Sequence, residues 1–323
     1  MRRLASLSLD LDNAWSYLKT HGDPGWADHP SYLDVVVPRF LEVLDGLGLR
    51  ITVFVVGQDA TDPKNVASLR SIAEAGHEIG NHSLRHEPWL HLYSEDEIEA
   101  ELRAAEEHIE AATGVRPRGF RGPGYSLSEA TLRVLLRRGY QYDASTLPTF
   151  LGPLARLYYF RAAKLDPEEK ARRGALFGSV ADGMRPLAPY RWQVDGGTLL
   201  EIPVTTLPVL RVPFHLSYVL YLSVFSETLA RAYFSAALAA CRATRLEPSL
   251  LLHPLDFLGA EDAPSLAFFP AMRMSAETKL QRVRGYLERF ASGFDVRAMG
   301  AYAEAITASR ELPVRQPDFR NPA

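Results

Sequence analysis

Apolar and polar residues alternate through LASLSLDL near the N-terminus, a period of two that predicts a first β-strand ending in the polar run at residues 10–13. A loop rich in Gly, Pro, His and Trp follows. YLDVVVPRFLEVLDGLGL then changes to a helical period and closes on Gly46 and Gly48. RITVFVVG is dense in Val and Ile, ends at Gly57, and reads as a buried strand. Asp62 as N-cap and Pro63 in the first turn open a helix running toward Ala75 and Gly76. HEIGNHS reads as a short strand entering a loop. Ser94 and Glu97 form a capping box for a long helix through about Ala112. RGFRGPG predicts a short strand with a Gly-Pro turn, Ser128 caps a helix to Arg138, and YQYDAST is a further short strand. Such alternation of strand and helix predicts an α/β fold with a parallel sheet or barrel.

The middle of the chain, residues 147–208, is less regular. Asp166, Pro167 and Glu169 carry a helix-start signature, and APYRWQVDGGTLLEIPVT predicts strand, Gly-Gly turn, strand. LPVLRVPFHLSYVLYLSVF is strongly apolar, and Ser226 caps an amphipathic helix toward Thr244. PSLLLHPLDF reads as a buried strand with a polar end. AETKLQRVRGYLERFAS is helical, and FDVRAMGAYAEAI gives a short strand and a closing helix. The polar, Pro-rich tail from Arg310 is expected to fray. The expected organisation is one domain over residues 1–308, with an irregular, partly apolar insertion at about 147–245, and a polar tail at 309–323.

With 323 residues, 47% hydrophobic and 23% charged, the chain can bury a sizeable core. A net charge of −3 gives no general attraction to nucleic acid or an anionic membrane. The single cysteine, Cys241, precludes an intramolecular disulfide and lies in an Ala-rich helical pattern typical of a small core residue. MRRLASLSLDLD begins like a signal peptide, but Asp10 and Asp12 interrupt its apolar run, so a cytoplasmic location is expected.

Polar residues that can titrate recur where apolar strands end, which is where α/β sheets and barrels place their sites. Asp10 and Asp12, two apart on an extended strand, point the same way. Together they offer a cation ligand and a base, or only a solvated turn. His82 and His86 share a face if the segment is a helical turn, and with a carboxylate they would make a zinc site with open positions. Arg121 precedes Gly122, Pro123, Gly124 and Tyr125, a turn that exposes backbone N–H groups beside a cation able to hold a carboxylate ionised. Asp143 ends one short strand, and His253 ends another with Asp256 close behind. A histidine so placed suits general-acid work when a carboxylate fixes its tautomer.

In this order and rhythm, SLDLDN, NHSLRH with its lead-in EAGHEIG, RGPGY, YDAST and LLLHP resemble the five motifs of the polysaccharide deacetylase family, the NodB-homology domain of carbohydrate esterase family four. The motifs run from residue 9 to 256. Leu11 separates the two aspartates, which are often adjacent in the family, and Gly124 stands where an aromatic is usual. The resemblance implies an irregular (β/α)7 barrel. It implies a divalent metal, zinc first among candidates, on Asp12, His82 and His86. Asp10 would be the base and Arg121 would hold it. His253 would be the acid, oriented by Asp143, and the backbone of Gly124 or Tyr125 would stabilise the oxyanion. The implied reaction is hydrolysis of an N-acyl group, acetyl or formyl, from an amino sugar.

The apolar stretch 207–225 is too interrupted, by Arg211, Pro213 and His215, to span a membrane. It can form core, a contact in a homo-oligomer, or an interfacial helix that holds a lipid carrier. A soluble precursor or an amino sugar on a polyprenyl carrier is therefore the expected substrate. Trp15, Tyr17, Trp26 and Trp89 are candidates to stack on a sugar face or simply to pack. Two other readings stay open. One is an amidase for a cyclic imide or ureide on the same fold; the other is an inactive binding protein, in which Asp10→Asn would leave the biological role intact.

Overall fold

The computed structural model describes residues 2–152 and 180–319, so the helix start expected at Asp166, Pro167 and Glu169 lies outside the described residues. Seven parallel strands form the centre: β1 (Arg3–Leu11), β2 (Thr52–Val55), β3 (Glu78–Asn81), β4 (Gly119–Phe120), β5 (Tyr142–Asp143), β7 (Gly197–Glu201) and β8 (Ser249–Leu252). Their spatial order is β7-β5-β4-β3-β2-β1-β8. Beyond the end of β7, Thr205 N donates to Ser249 O at 3.0 Å and Ser249 N to Thr205 Oγ1 at 2.8 Å, which links the two ends of the series. The result is an irregular (β/α)7 barrel.

Strand β1 shows how the alternation is used. Ala5, Leu7, Leu9 and Leu11 pack into the main core with α2 (Leu33–Gly46) and the helices around it. Ser6, Ser8 and Asp10 lie on the other face, also buried. The flanking helices begin as their caps dictate. Asn13 caps α1 (Ala14–His21), Asp62 caps α3 (Pro63–Glu74), and Ser94 with Glu97 forms the capping box of α4 (Glu95–Thr113). Ser128 caps α5 (Glu129–Arg137), and Ser226 caps α7 (Glu227–Ala243) directly after α6 (Leu216–Phe225). Helix α8 (Ala276–Gly293) covers α7, and α9 (Met299–Ser309) plugs one end of the barrel. There Met299 N donates to Thr52 Oγ1 at 2.7 Å and Gly300 N to Glu78 Oε2 at 2.8 Å. Thr52 and Glu78 are the first residues of β2 and β3, so α9 seals the N-terminal ends of the strands. The C-terminal ends are left for chemistry.

Three segments differ from what the pattern predicts. Much of the stretch 147–245 is part of the barrel itself, since β7 pairs in parallel with β5 and β6 (Tyr190–Val194) pairs antiparallel with β7. The hairpin turn between them is Asp195-Gly196, both with positive φ, and Gly197 already begins β7. The tail does not simply fray: β10 (Val314–Arg315) pairs with β6, and Phe319 packs its ring on Trp192. The short strand expected at FDVR is present as β9 (Phe294–Arg297) and pairs in parallel with β1. Among the described residues, no helix is long and apolar enough to cross a membrane.

Candidate active site

The last residues of β1 enter the site in a fixed pose. Asn13 is fully engaged: its Oδ1 accepts from Ala14 N and Tyr32 N, and its Nδ2 donates to Asp59 Oδ1 at 2.7 Å and Ser31 Oγ at 2.9 Å. The Tyr32 hydroxyl donates to the Asp12 carbonyl. These bonds hold Asp12 one residue away.

The segment bearing His82 and His86 is a loop, which corrects the expected helical turn. His82 N continues the ladder to Val55 O, and Gly57 N donates to Ser83 O, so the chain stays extended past β3. It then turns through Ser83 and His86, both at positive φ. Asn81 Oδ1 receives Ser83 N at 2.8 Å, and buried Glu101 on α4 receives Arg85 N at 2.6 Å. The loop achieves what the helix was expected to do. His82 Nε2 lies 3.3 Å and His86 Nε2 2.9 Å from Asp12 Oδ1.

The fit of this trio to a cation follows from its donor atoms. His82 Nδ1 meets the Arg121 carbonyl at 2.6 Å, and a carbonyl only accepts, so Nδ1 carries the hydrogen. Burial lowers the His82 pKa, but Asp10 and Asp12 outweigh it and hold the imidazole above its ordinary value; in the neutral ring, Nε2 is a lone pair facing a carboxylate oxygen. Asp12 Oδ1 is buried, close to two imidazole nitrogens, and makes no hydrogen bond of acceptable geometry. Burial alone would push the Asp12 carboxyl up; His86 and His82 outweigh it and hold the group well below the ordinary carboxylate range. Three buried ligand atoms, two imidazole nitrogens and a carboxylate oxygen, within 4.8 Å of one another suit a divalent metal.

Beside the trio, Asp10 is paired with Arg121, whose side chain is fully buried. Arg121 Nη1 donates to Asp10 Oδ1 at 2.7 Å and to Ser8 Oγ at 2.9 Å, Nε donates to Ala144 O at 2.9 Å, and the guanidinium lies 4.4 Å from the Phe54 ring centre. The guanidinium thus has one carboxylate partner and one geometry. The following turn is tight. A Cβ on Gly122 would meet Ser126 O at 2.0 Å, and Gly124 has φ 58°. Tyr125 N donates to Gly122 O at 2.9 Å. This commits the Tyr125 N–H to the turn and leaves Gly124 as the candidate backbone donor.

Asp143 does not orient His253, contrary to the expected role. Its Oδ1 accepts from Ser145 Oγ at 2.6 Å and its Oδ2 from Ser145 N at 3.2 Å, and Ser145 Oγ in turn receives Gly122 N at 2.8 Å. Asp143 therefore supports the Arg121 turn. Burial pushes its carboxyl up, and burial together with Asp143 pushes that of neighbouring Glu201 up as well. His253 has other company. Its Nδ1 lies 3.0 Å from Ser217 Oγ, its backbone N donates to Asp256 Oδ2 at 2.9 Å, and its ring is 5.4 Å from that of His215.

Sequence reading missed Ser217 and His215. They sit at the start of α6, and only the fold brings them to the end of β8. Of the aromatic candidates, Trp15 is buried with its indole N–H on Asp59 Oδ1 at 2.8 Å, which makes it packing. Tyr17 faces Asp12. Trp26 and Trp89 flank Lys19, whose Nζ is 5.3 Å and 5.9 Å from their ring centres.

The sequence profile described as polysaccharide deacetylase matches residues 23–142. The chain is 27% identical over 210 residues to a peptidoglycan deacetylase of Helicobacter pylori, covering 59% of this chain and 66% of that one. It is 30% identical over 209 residues to a peptidoglycan deacetylase-like protein of Gibberella zeae, covering 61% of this chain and 60% of that one. A crystal structure of a Mycobacterium smegmatis protein assigned as a polysaccharide deacetylase superposes with a TM-score of 0.64 at 21% identity, covering 99% of this chain and 96% of that one.

Residues 23–142 thus resemble a polysaccharide deacetylase domain.

The matches to the two curated relatives span 66% and 60% of their lengths. The barrel, similar in fold to the Mycobacterium smegmatis structure, carries its polar cluster at the strand ends opposite α9. Asp10, Asp12, His82, His86 and Arg121 come together there, His253 joins them from β8, and Asp143 stands behind the Arg121 turn.

Proposed function

We propose that this chain hydrolyses the N-acyl group, acetyl or formyl, of an amino sugar, with a divalent metal, zinc in the first instance, held by Asp12, His82 and His86. The observation that carries this is a buried, Arg121-locked carboxylate, Asp10, beside a buried trio of cation ligands whose atoms lie within 4.8 Å of one another. When bound, the metal would supply Lewis acidity that polarises the scissile carbonyl and makes water easier to deprotonate. Asp10 takes the proton of the attacking water, and Arg121 fixes the direction from which it does so. Gly124 N–H is the donor for the developing oxyanion. His253 gives a proton to the departing amine as the C–N bond breaks. The relatives named above point to peptidoglycan-type amino sugars as the chemical class.

The same proposal extends to an amino sugar on a lipid carrier. Tyr221 and Phe225 continue the i, i+4 row of Ser217 along α6; Ser217 touches His253, and Phe225 is 72% exposed. Val209 and Leu210 lie just before the helix and are also exposed. An apolar face that begins at the general acid suits a substrate whose sugar enters the site while its tail lies along α6, at peripheral contact with a membrane.

The test is acetate or formate release from short N-acyl amino-sugar oligomers and from a polyprenyl-linked N-acyl amino sugar, with ureides as the competing class. Release from amino sugars is expected, with preference for the lipid-linked form, and a loss of roughly 100-fold or more in Asp10→Asn. Turnover of ureides alone, or an Asp10→Asn variant as active as the parent, would overturn the reading.

A further inference from the structure

Ser217 Oγ lies between two groups that want different things from it. Asp256 Oδ1 is 2.8 Å away and His253 Nδ1 is 3.0 Å away. Asp256 accepts at both oxygens, since Oδ2 also receives the His253 backbone N–H. Asp256 is buried, and the ammonium of Lys279 stands behind it, held by Leu255 O and Leu258 O at 2.7 and 2.6 Å. A serine hydroxyl has one hydrogen. If it goes to the carboxylate, the oxygen can only accept from the imidazole. His253 Nδ1 must then carry a hydrogen, and Nε2 becomes the atom that gains and loses the proton.

We infer that Ser217 and Asp256 form a relay that sets the tautomer of His253, with Ser217 as a positioning residue contributed by α6. This rests on the proposed deacylase reaction for its catalytic meaning, but the tautomer itself does not. In the step concerned, the oxyanion of the tetrahedral adduct re-forms the C=O bond, the C–N bond breaks with its electron pair going to nitrogen, and that nitrogen takes the Nε2 proton of the doubly protonated His253. His253 is left neutral with its Nδ1–H still donated to Ser217 Oγ, ready to be reprotonated at Nε2 by solvent. Asp143, the carboxylate that the motif pattern points to, is engaged with Ser145 and cannot serve here. The device also couples the acid to α6. A substrate that seats α6 correctly completes the relay, and one that displaces it removes the hydrogen-bond partner of Nδ1.

The experiment uses the full chain in two readouts. Long-range ¹H–¹⁵N NMR of the imidazoles, with His253→Gln to assign the signal, is expected to show the Nδ1–H form in the parent. Ser217→Ala should shift His253 toward a tautomer mixture, Ser217→Thr should restore the parent pattern, and Asp143→Asn should leave it as in the parent. Kinetics then compare an N-acetyl amide with an aryl acetate, whose leaving group needs no proton. Ser217→Ala should lower kcat on the amide by roughly tenfold or more, part of the 10²–10⁴ a general acid supplies. KM and the aryl acetate rate should stay within about twofold, and Thr should rescue. Unchanged His253 nitrogen shifts in both Ser217→Ala and Asp256→Asn would overturn the relay. So would equal losses on amide and ester. If the parent deacylates nothing, the reaction proposed above fails, and the NMR pattern still decides the relay. If Ser217→Ala does not fold, Asp256→Asn provides the same comparison.

Discussion

At the scale of single residues, the site is dominated by one buried ion pair. Arg121 is inaccessible and Asp10 nearly so, and removing one member of such a pair strands the other charge. Arg121→Met is therefore expected to lower stability by about 3 kcal/mol in urea unfolding. Adding Asp10→Asn to that variant should recover part of the loss, because the stranded charge is gone; a double variant worse by the full sum of the singles would contradict this. The identities of Asp10, Asp12, His82, His86, Arg121 and His253 were legible because strand-end polar residues at these spacings form motifs. The partner of His253 was not. Asp143 has the right type and place in the chain, but a carboxylate bonds to the nearest donors, and Ser145 is two residues away. Ser217, which does reach His253, is one of many serines in the sequence and carries no local mark.

At the scale of elements, most helices and strands follow from caps and periods, because their signals are local. What failed was governed by tertiary contacts. The loop after β3 turns through Ser83 and His86 without glycine, held by Glu101 from α4 and Val55 from β2, and no local pattern announces that. The pairing of β10 with β6 depends equally on a distant edge strand. At the entry to β3 a titratable link ties neighbouring elements: Ile51 N donates to His77 Nδ1 at 3.1 Å. Burial and the nearby Arg50 charge push His77 down to about 4 from its ordinary 6.5. On acidification the unfolded chain binds this proton first, so the contribution of His77 is complete above about pH 6.5 and is lost as pH falls toward 4. His77→Asn keeps an acceptor without the titration. Its unfolding free energy should fall less than that of the parent between those pH values; parallel curves would show that His77 is not part of the acid response.

At the scale of the molecule, the barrel separates structure from chemistry. Helix α9 seals the N-terminal strand ends, the aliphatic face of β1 builds the core, and its polar face leads to Asp10 and Asp12 at the opposite end. The strand that completes the ring, β7, comes from a stretch whose pattern looked irregular, because β-pairing in a barrel needs only a few residues once both neighbours are in place. Helix α6 brings exposed apolar residues and Ser217 to the rim together, and in the proposed reaction that would join substrate choice to His253. The proposed reaction requires the Asp12, His82 and His86 trio to hold a metal. Calorimetric titration of zinc into chelator-treated protein tests it most directly, beside Asp12→Ala and His86→Ala. One site per chain in the parent, absent from both variants while their circular dichroism is unchanged, is the expected result. No binding by the parent, or binding that survives both substitutions, would contradict it.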